Sequence, residues 1–349
     1  MKILVTGITG FLGKEFLKKI IIDKENEYVL LIRAASISKI SSLVENYSHI
    51  KIVKGSLKST QLFKDRDLFS KYKNEINKVI HLAALYDLGA QADSLYLANV
   101  IGTQNVLYFC NHCKNLSALD YASTIAVAGN WSGAYSEDDF DLGQGFDNPY
   151  AKTKFQSEGL VRKFCKEKKG LSTRIIRFGV IVGDSRTGTI SKTDGPYYFF
   201  ANIGKLFQLA PVLKKLTFIP FPFKANAHFP IVPVDTASDL LAANPLKPDD
   251  MEVIHCLVKD PPTMKVFLDD FLSSIDVSFK FIPIPKHDLL AKLFSPFSIP
   301  KALLNYLYMP TQFESHNIDN YLPDRVTYAQ LKKPLFDYVR NEILKKGRV

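Results

Sequence analysis

The chain has little that could staple it, thread it through a membrane or keep it unfolded. Four cysteines in 349 residues make no disulfide framework, and no apolar run approaches the ~18–20 residues a membrane-crossing helix needs. At 46% hydrophobic and 23% charged residues, a disordered or collagen-like chain is excluded. The opening Met-Lys-Ile-Leu-Val-Thr-Gly enters a strand at once, without the apolar stretch and cleavage site of a signal peptide, so a cytoplasmic location is expected. Acidic residues are the most unevenly missing. Lys and Arg total 45 against 35 Asp and Glu, a formal charge of +10. No carboxylate occurs from Gly195 to Val234, where Lys205, Lys214, Lys215 and Lys224 punctuate a run rich in Phe, Leu and Pro. From Val277 to Phe313 the sole carboxylate is Asp288, against Lys280, Lys286, Lys292 and Lys301. No basic-aromatic recognition motif or helix-turn-helix signature accompanies this excess, which argues against nucleic acid. Basic and apolar together suit an amphiphilic anion or peripheral contact with a membrane surface. A cap domain with solvated lysines fits the same residues.

What is present is an alternation of short apolar strands with amphipathic helices. Strands are expected at Lys2–Thr6, Tyr28–Ile32, Ile50–Val53, Lys78–Leu82, Leu119–Ala122 and Thr173–Phe178. Helices are expected at Phe11–Asp23, Leu97–Asn111 and Ala151–Lys168. The pattern predicts an α/β fold with a doubly wound, Rossmann-type parallel sheet covered on both faces. After Gly183 proline density rises and the helical periods blur. Strand-like Phe229–Val234, a helix at Asp235–Ala243 and strand-like Glu252–Leu257 then restore the alternation. The division that follows is a dinucleotide domain over 1–184, rejoined at about 226–262, with a smaller substrate-binding cap from 185–225 and 263–349. Cys110 and Cys113 form a lone C-x-x-C inside a helical pattern. No second pair completes zinc spacing, so packing thiols and no metal are expected.

Thr6-Gly-Ile-Thr-Gly-Phe-Leu-Gly13 sits where the first strand hands over to a helix. Glycines 7, 10 and 13 make a variant of the dinucleotide fingerprint, in which the main chain must turn sharply and approach a pyrophosphate closely. The following helix N-terminus offers N–H groups and the positive end of its dipole to that anion. The second strand ends Leu31-Ile32-Arg33, with no carboxylate to bind a ribose 2′-hydroxyl. A guanidinium there suits the 2′-phosphate of NADPH.

Tyr150-Ala-Lys-Thr-Lys154 places a phenol and an ammonium one helical turn apart, after Asn148 as N-cap and Pro149 at the first helical position. A nearby cation lowers the phenol's pKa from about 10, so that it can exchange a proton near neutrality. The spacing alone is weak, because Tyr47/Lys51 and Tyr328/Lys332 repeat it. Only Tyr150 follows a strand ending in a hydroxyl pair, Ser123-Thr124, either of which can donate to a carbonyl oxygen as charge develops.

Together these motifs resemble the extended short-chain dehydrogenases/reductases. The likeness rests on Thr6–Gly13, His81-Leu-Ala-Ala84, Asn99-Val-Ile-Gly-Thr103, Ser123–Gly129, Tyr150–Lys154 and Val232-Pro-Val-Asp235. Gly10-Phe-Leu-Gly13, Leu31-Ile-Arg33 and Asp194-Gly-Pro-Tyr-Tyr-Phe-Phe200 resemble the fatty acyl-CoA reductase and thioester reductase (male-sterility) branch, nearest to the N-terminal half of two-part bacterial fatty acyl-CoA reductases. The resemblance implies Thr124, with Ser123 as fallback, Tyr150 and Lys154 as the catalytic set. It implies cofactor contacts at Thr6, Gly7, Thr9, Gly10, Phe11, Leu12, Gly13, Arg33, Ala83, Ala84, Tyr150 and Lys154, with Asn99 in support. It implies NADPH as cofactor. The substrate would be an acyl-CoA, an acyl carrier protein thioester or a long-chain aldehyde. Two departures stand out: Gly55-Ser56-Leu57 where the family carries Gly-Asp-Leu, and Arg177-Phe178 where it carries Arg-Pro. Rival readings are an NAD-dependent nucleotide-sugar epimerase or dehydratase, a sterol dehydrogenase, and a non-catalytic dinucleotide sensor. Arg33 argues against NAD, the phenylalanine-rich cap against a sugar diphosphate, and an intact proton donor against a sensor.

Overall fold

A computed structural model describes residues 1–87, 89–191, 197, 199–201, 217–244, 250–275, 277, 279–285 and 307–344. Its strands are β1 (Lys2–Thr6), β2 (Glu27–Ile32), β3 (Ile50–Lys54), β4 (Lys78–His81), β5 (Ala118–Thr124), β6 (Gly133–Tyr135) and β7 (Ser172–Phe178). They continue as β8 (Val180–Val182), β9 (Phe218–Pro222), β10 (Ile231–Pro233), β11 (Met251–Cys256), β12 (Lys280–Ile284) and β13 (Thr311–Phe313). Seven of them form one parallel sheet in the order β11-β7-β5-β4-β1-β2-β3. Strand order reverses between β1 and β4, which opens a crevice at the strands' C-terminal ends. The other six pair off as β8–β10, β9–β12 and β6–β13.

The helices used below are α1 (Phe11–Ile22), α2 (Ser41–Val44), α3 (Arg66–Glu75), α4 (Ala92–Leu95), α5 (Gly102–His112), α6 (Pro149–Glu167), α7 (Val234–Ala242), α8 (Met264–Ser274) and α9 (Tyr328–Tyr338). Alternate residues of one strand serve opposite faces of the sheet. Ile3 and Val5 pack with Phe16, Leu17 and Ile20 of α1 and Leu240 and Leu241 of α7. Leu4 instead joins Phe69 and Tyr72 of α3, Val106 and Phe109 of α5 and Val161 of α6. With both faces covered, the strands read as continuous apolar runs.

A third, phenylalanine-rich cluster lies outside the seven-stranded sheet. Phe200 meets Phe271 with ring centroids 4.6 Å apart, and Phe221 meets Phe281 at 4.5 Å. It draws on residues both before and after the return of the chain to the sheet. Lys224 and Lys280 are described there. Lys205, Lys214, Lys215, Lys286, Lys292, Lys301, Asp288 and residues 194–196 and 198 of the Asp194–Phe200 motif lie outside the described residues.

Two elements differ from the sequence reading. The continuous helix expected over Leu97–Asn111 is a π-helical turn, Tyr96–Ile101, followed by α5. The strand expected over Phe229–Val234 shrinks to Ile231–Pro233, preceded by Pro230 and ending on Pro233, neither of which has an N–H for the ladder. No helix among the described residues is long and apolar enough to cross a membrane.

Candidate active site

The chain leaves β1 through Gly7, whose φ of +82° lies in the left-handed region. A Cβ there would stand 2.4 Å from the Ala83 nitrogen, and one at Gly13 would stand 2.4 Å from the Gly7 oxygen. No side chain caps α1 at Gly10, which leaves its first-turn N–H groups to an anion. In front of this turn lies a cavity of about 650 Å³. Gly7, Thr9, Gly10, Phe11, Leu12, Gly13, Arg33 and Ala84 line it. So do Thr124, Tyr150 and Lys154, and Phe199, Phe229, Met264, Phe267, Leu268 and Leu307 give it an apolar wall, against which Phe11 also packs.

Thr6, Ala83 and Asn99 stand behind the lining. Thr6 Oγ1 accepts the Ala83 N–H at 3.4 Å and lies 2.7 Å from His81 Nδ1. Asn99, inside the π turn, accepts the Leu85 N–H at 2.7 Å and donates to Thr153 Oγ1 at 3.1 Å. These residues fix the backbone that meets the cavity. Arg33 caps a 3-10 turn, Ala34–Lys39, that returns Lys39 to the same wall, and α1 adds Lys14. Neither lysine is marked in the sequence, because the neighbours of Arg33 are two alanines and only the turn brings Lys39 back.

Asn148 accepts the Ala151 N–H at 2.8 Å and starts α6 with Pro149 in its first turn. Tyr150 and Lys154 then share one face. The Tyr150 ring meets Tyr86 edge-on at 4.9 Å. Lys154 is buried, and its Nζ donates to the Tyr121 hydroxyl and the Ala122 carbonyl, both at 2.7 Å. Burial pulls the ammonium down to about 7, against the opposing pull of Glu158. The hydroxyl pair divides its work. Ser123 donates to Glu158 Oε2 at 2.6 Å, whereas Thr124 accepts the Ala126 N–H at 3.2 Å and keeps its own O–H as a donor. The two other Tyr-x-x-x-Lys pairs lie away from the cavity lining, and Tyr328 and Lys332 both bind Asp270.

Sequence reading missed the charged layer behind this face. Glu158, one turn beyond Lys154, takes three hydrogen bonds from Arg177, at 2.7, 3.1 and 3.2 Å. Burial opposes its charge, but Arg177 and Arg162 hold its carboxyl below the usual range. The i,i+4 step from Lys154 was the available signal. Phe178 is buried and lines the cavity; Ser56 does not. Cys110 and Cys113 are buried free thiols, and burial pushes Cys113 up to about 12. No group of three or more metal-ligating side chains occurs among the described residues.

A family model described as "Male sterility protein" matches residues 5–241. The chain belongs to that family. Male sterility proteins of this type form a reductase branch of the extended short-chain dehydrogenases/reductases, and the Rossmann sheet of this one makes NAD(P) its cofactor class. The L-2-aminoadipate reductase large subunit of Penicillium chrysogenum is 28% identical over 220 residues, 55% of this chain and 16% of the relative. A probable fatty acyl-CoA reductase 4 of Arabidopsis thaliana is 30% identical over 169 residues, 41% of this chain and 34% of the relative. The chain thus spans well under two thirds of these relatives. Among solved structures, the terminal R domain of the myxalamid PKS-NRPS pathway is similar in fold (TM-score 0.78, 20% identity, covering 100% of this chain and 91% of that one). So is UDP-glucuronic acid 4-epimerase of Bacillus cereus with NAD (TM-score 0.63, 21% identity, covering 97% and 99%).

Proposed function

We propose that this chain is an NADPH-dependent reductase of hydrophobic acyl carbonyls, taking acyl thioesters to aldehydes, long-chain aldehydes to alcohols, or both. One observation carries the reading: a single cavity is lined by the glycine turn and three cations, by Thr124, Tyr150 and Lys154, and by an apolar wall. In that reading Arg33 and Lys39 hold the 2′-phosphate, the Thr9–Gly13 turn and α1 hold the pyrophosphate, and Lys154 contacts the nicotinamide ribose. The close approaches that a Cβ at Gly7 or Gly13 would block support the fit. The bound cofactor supplies a hydride to the carbonyl carbon.

The chain's own residues handle the oxygen. Thr124 and Tyr150 donate hydrogen bonds to it as negative charge develops. Tyr150 then gives up its proton, and Lys154 lowers the cost of the phenolate left behind. A thioester that gains a hydride and a proton loses its C–S bond, giving aldehyde and thiol; an aldehyde gaining the same becomes an alcohol. The thiol carrier is coenzyme A or an acyl carrier protein. The division stays that of 1–184 with 226–262 for the cofactor and the remainder for the cap.

The epimerase reading shares the fold, yet beyond Gly179 the described lining of the cavity has Ser191 as its one polar side chain. That wall favours an acyl chain over a sugar diphosphate. The test is loss of NADPH absorbance on adding acyl-CoA thioesters and long-chain aldehydes to the purified protein. Oxidation with either class, and less with NADH, is expected. No oxidation with any member, or turnover of UDP-sugars instead, would overturn the reading.

A further inference from the structure

The Lys154 ammonium sits in an unusual place for a charge. It is buried, and the nearest carboxylate, Glu158, is already committed to Arg177, Arg162 and Ser123. What receives it directly is neutral: the Tyr121 hydroxyl at 2.7 Å, the Ala122 carbonyl, and the face of the Tyr121 ring, whose centroid is 4.3 Å from Nζ. Tyr121 thus holds the charge twice, through an accepting oxygen and through its π face. Behind it stands a polar column. The Thr103 and Ser157 hydroxyls lie beside the Tyr121 hydroxyl, Thr103 Oγ1 is 3.1 Å from His81 Nε2, and His81 reaches Thr6. All these side chains are buried, so each restrains the next.

We propose that Tyr121 is a positioning residue for the lysine, keeping Lys154 cationic and aimed at the cavity, and that the Thr6–His81–Thr103 column holds Tyr121 in place from β1, β4 and α5. This rests on the reading of Lys154 as the residue that assists Tyr150. The titratable groups facing Lys154 are Tyr121 on β5, Tyr150 and Glu158 on α6, and His81 on β4. Burial drives His81 down to about 3, reinforced by the lysine's own charge, so it stays neutral across the working range. Tyr121 is pushed well above its usual value, chiefly by burial, so it remains a phenol and an acceptor. Neither competes with Lys154 for a proton.

The test is NADPH affinity by fluorescence titration from pH 6 to 9, for the native chain, Lys154→Met and Tyr121→Phe. The break in affinity that Lys154→Met abolishes belongs to the lysine. Tyr121→Phe keeps the ring and removes the acceptor, so this break is expected to move down by about one pH unit, the size of one charge-assisted hydrogen bond. Where turnover is measurable, its alkaline limb should move the same way, with the KM for acyl substrate nearly unchanged. Thr103→Val, which leaves Tyr121 intact, should give a smaller shift in the same direction, and it decides the matter if Tyr121→Phe fails to fold. A lysine-linked break that stays put in the folded variant overturns the proposal, as does a native chain without such a break. A native chain that shows the break yet reduces no acyl thioester or aldehyde overturns the functional reading and leaves this one standing.

Discussion

In the proposed mechanism Tyr150 keeps its proton until charge develops on the substrate oxygen and then releases it, which a free phenol near pKa 10 does poorly unaided. Lys154 is the cation assigned to help in that mechanism, and the Tyr86 ring against Tyr150 restricts where the phenol can swing. Tyr150→Phe deletes the donor and preserves the ring. Turnover is expected to fall at least ~100-fold, while NADPH affinity, read by fluorescence titration, stays within about 2-fold because the proposed phosphate contacts lie with Arg33, Lys39 and the glycine turn. Arg33 is exposed and lines the same cavity, as does Lys39. A guanidinium there matters only if a 2′-phosphate is present to meet it. Arg33→Ala should raise the KM for NADPH by about 10-fold or more, the worth of a charge-assisted pair, and leave the KM for NADH nearly unchanged. Equal effects on the two would remove the phosphate assignment. These residues were legible from sequence because each sits in a local pattern: a glycine turn after a strand, a strand end, a capped helix.

At the scale of elements, the sheet was legible and its buried polar layer was not. Strands β1 to β5 announce themselves by short apolar runs, and α6 by Asn148 and Pro149. The π turn at Tyr96–Ile101 has no such sign, since it exists to bring Asn99 against Leu85 and Thr153, contacts set by tertiary structure. The same holds for the layer joining β7, β11 and the segment after β13. Arg177 donates to His255 Nε2 at 3.1 Å, which requires that nitrogen to accept and places the ring proton on Nδ1, facing the Glu314 carbonyl. Burial and the Arg177 charge hold His255 down to about 3, and burial with the Lys154 charge does the same for His81. In the unfolded chain both titrate near 6.5. Between those values the unfolded state binds two protons that the folded state refuses, so stability falls as pH falls, by about 1.4 kcal/mol per pH unit for each histidine. Asp120 and Glu158, whose carboxyls are held low despite burial, add their loss only at still lower pH, where they too protonate. The melting temperature is therefore expected to drop steadily from pH 6.5 to pH 4.5, and His255→Gln should roughly halve that slope. A melting temperature flat over this range would show that the two rings are not held neutral.

At the scale of the whole molecule, three apolar clusters divide the labour: two clamp the sheet, and the third supplies the apolar lining of the cavity. Glu137 ties the parts together. Its carboxylate accepts the N–H groups of His255, His316 and Asn317 at 2.8, 3.1 and 3.0 Å, fastening the later chain to the sheet edge. Composition marks phenylalanine-rich stretches after Gly183, but which of their phenylalanines line the cavity depends on how α8 packs. Met264 and Leu268 lie one turn apart on α8, both buried and both on the cavity wall, so they meet whatever lies against that wall. In the proposed reading, an acyl chain whose carbonyl sits at Thr124 and Tyr150 reaches them only when it is long enough. Rates across a series of acyl-CoA substrates should accordingly climb with chain length in the native protein. Leu268→Phe fills part of the apolar side of the cavity and leaves Tyr150 and the glycine turn unchanged in sequence. It should lower kcat/KM for the longest substrates by about 10-fold, the discrimination a few methylenes carry in a hydrophobic pocket, while the shortest are reduced as before. A uniform loss across the series would mean that the added ring distorts α8 rather than shortening the cavity. A native preference for short polar substrates would mean that the phenylalanine-rich wall only holds the cap together.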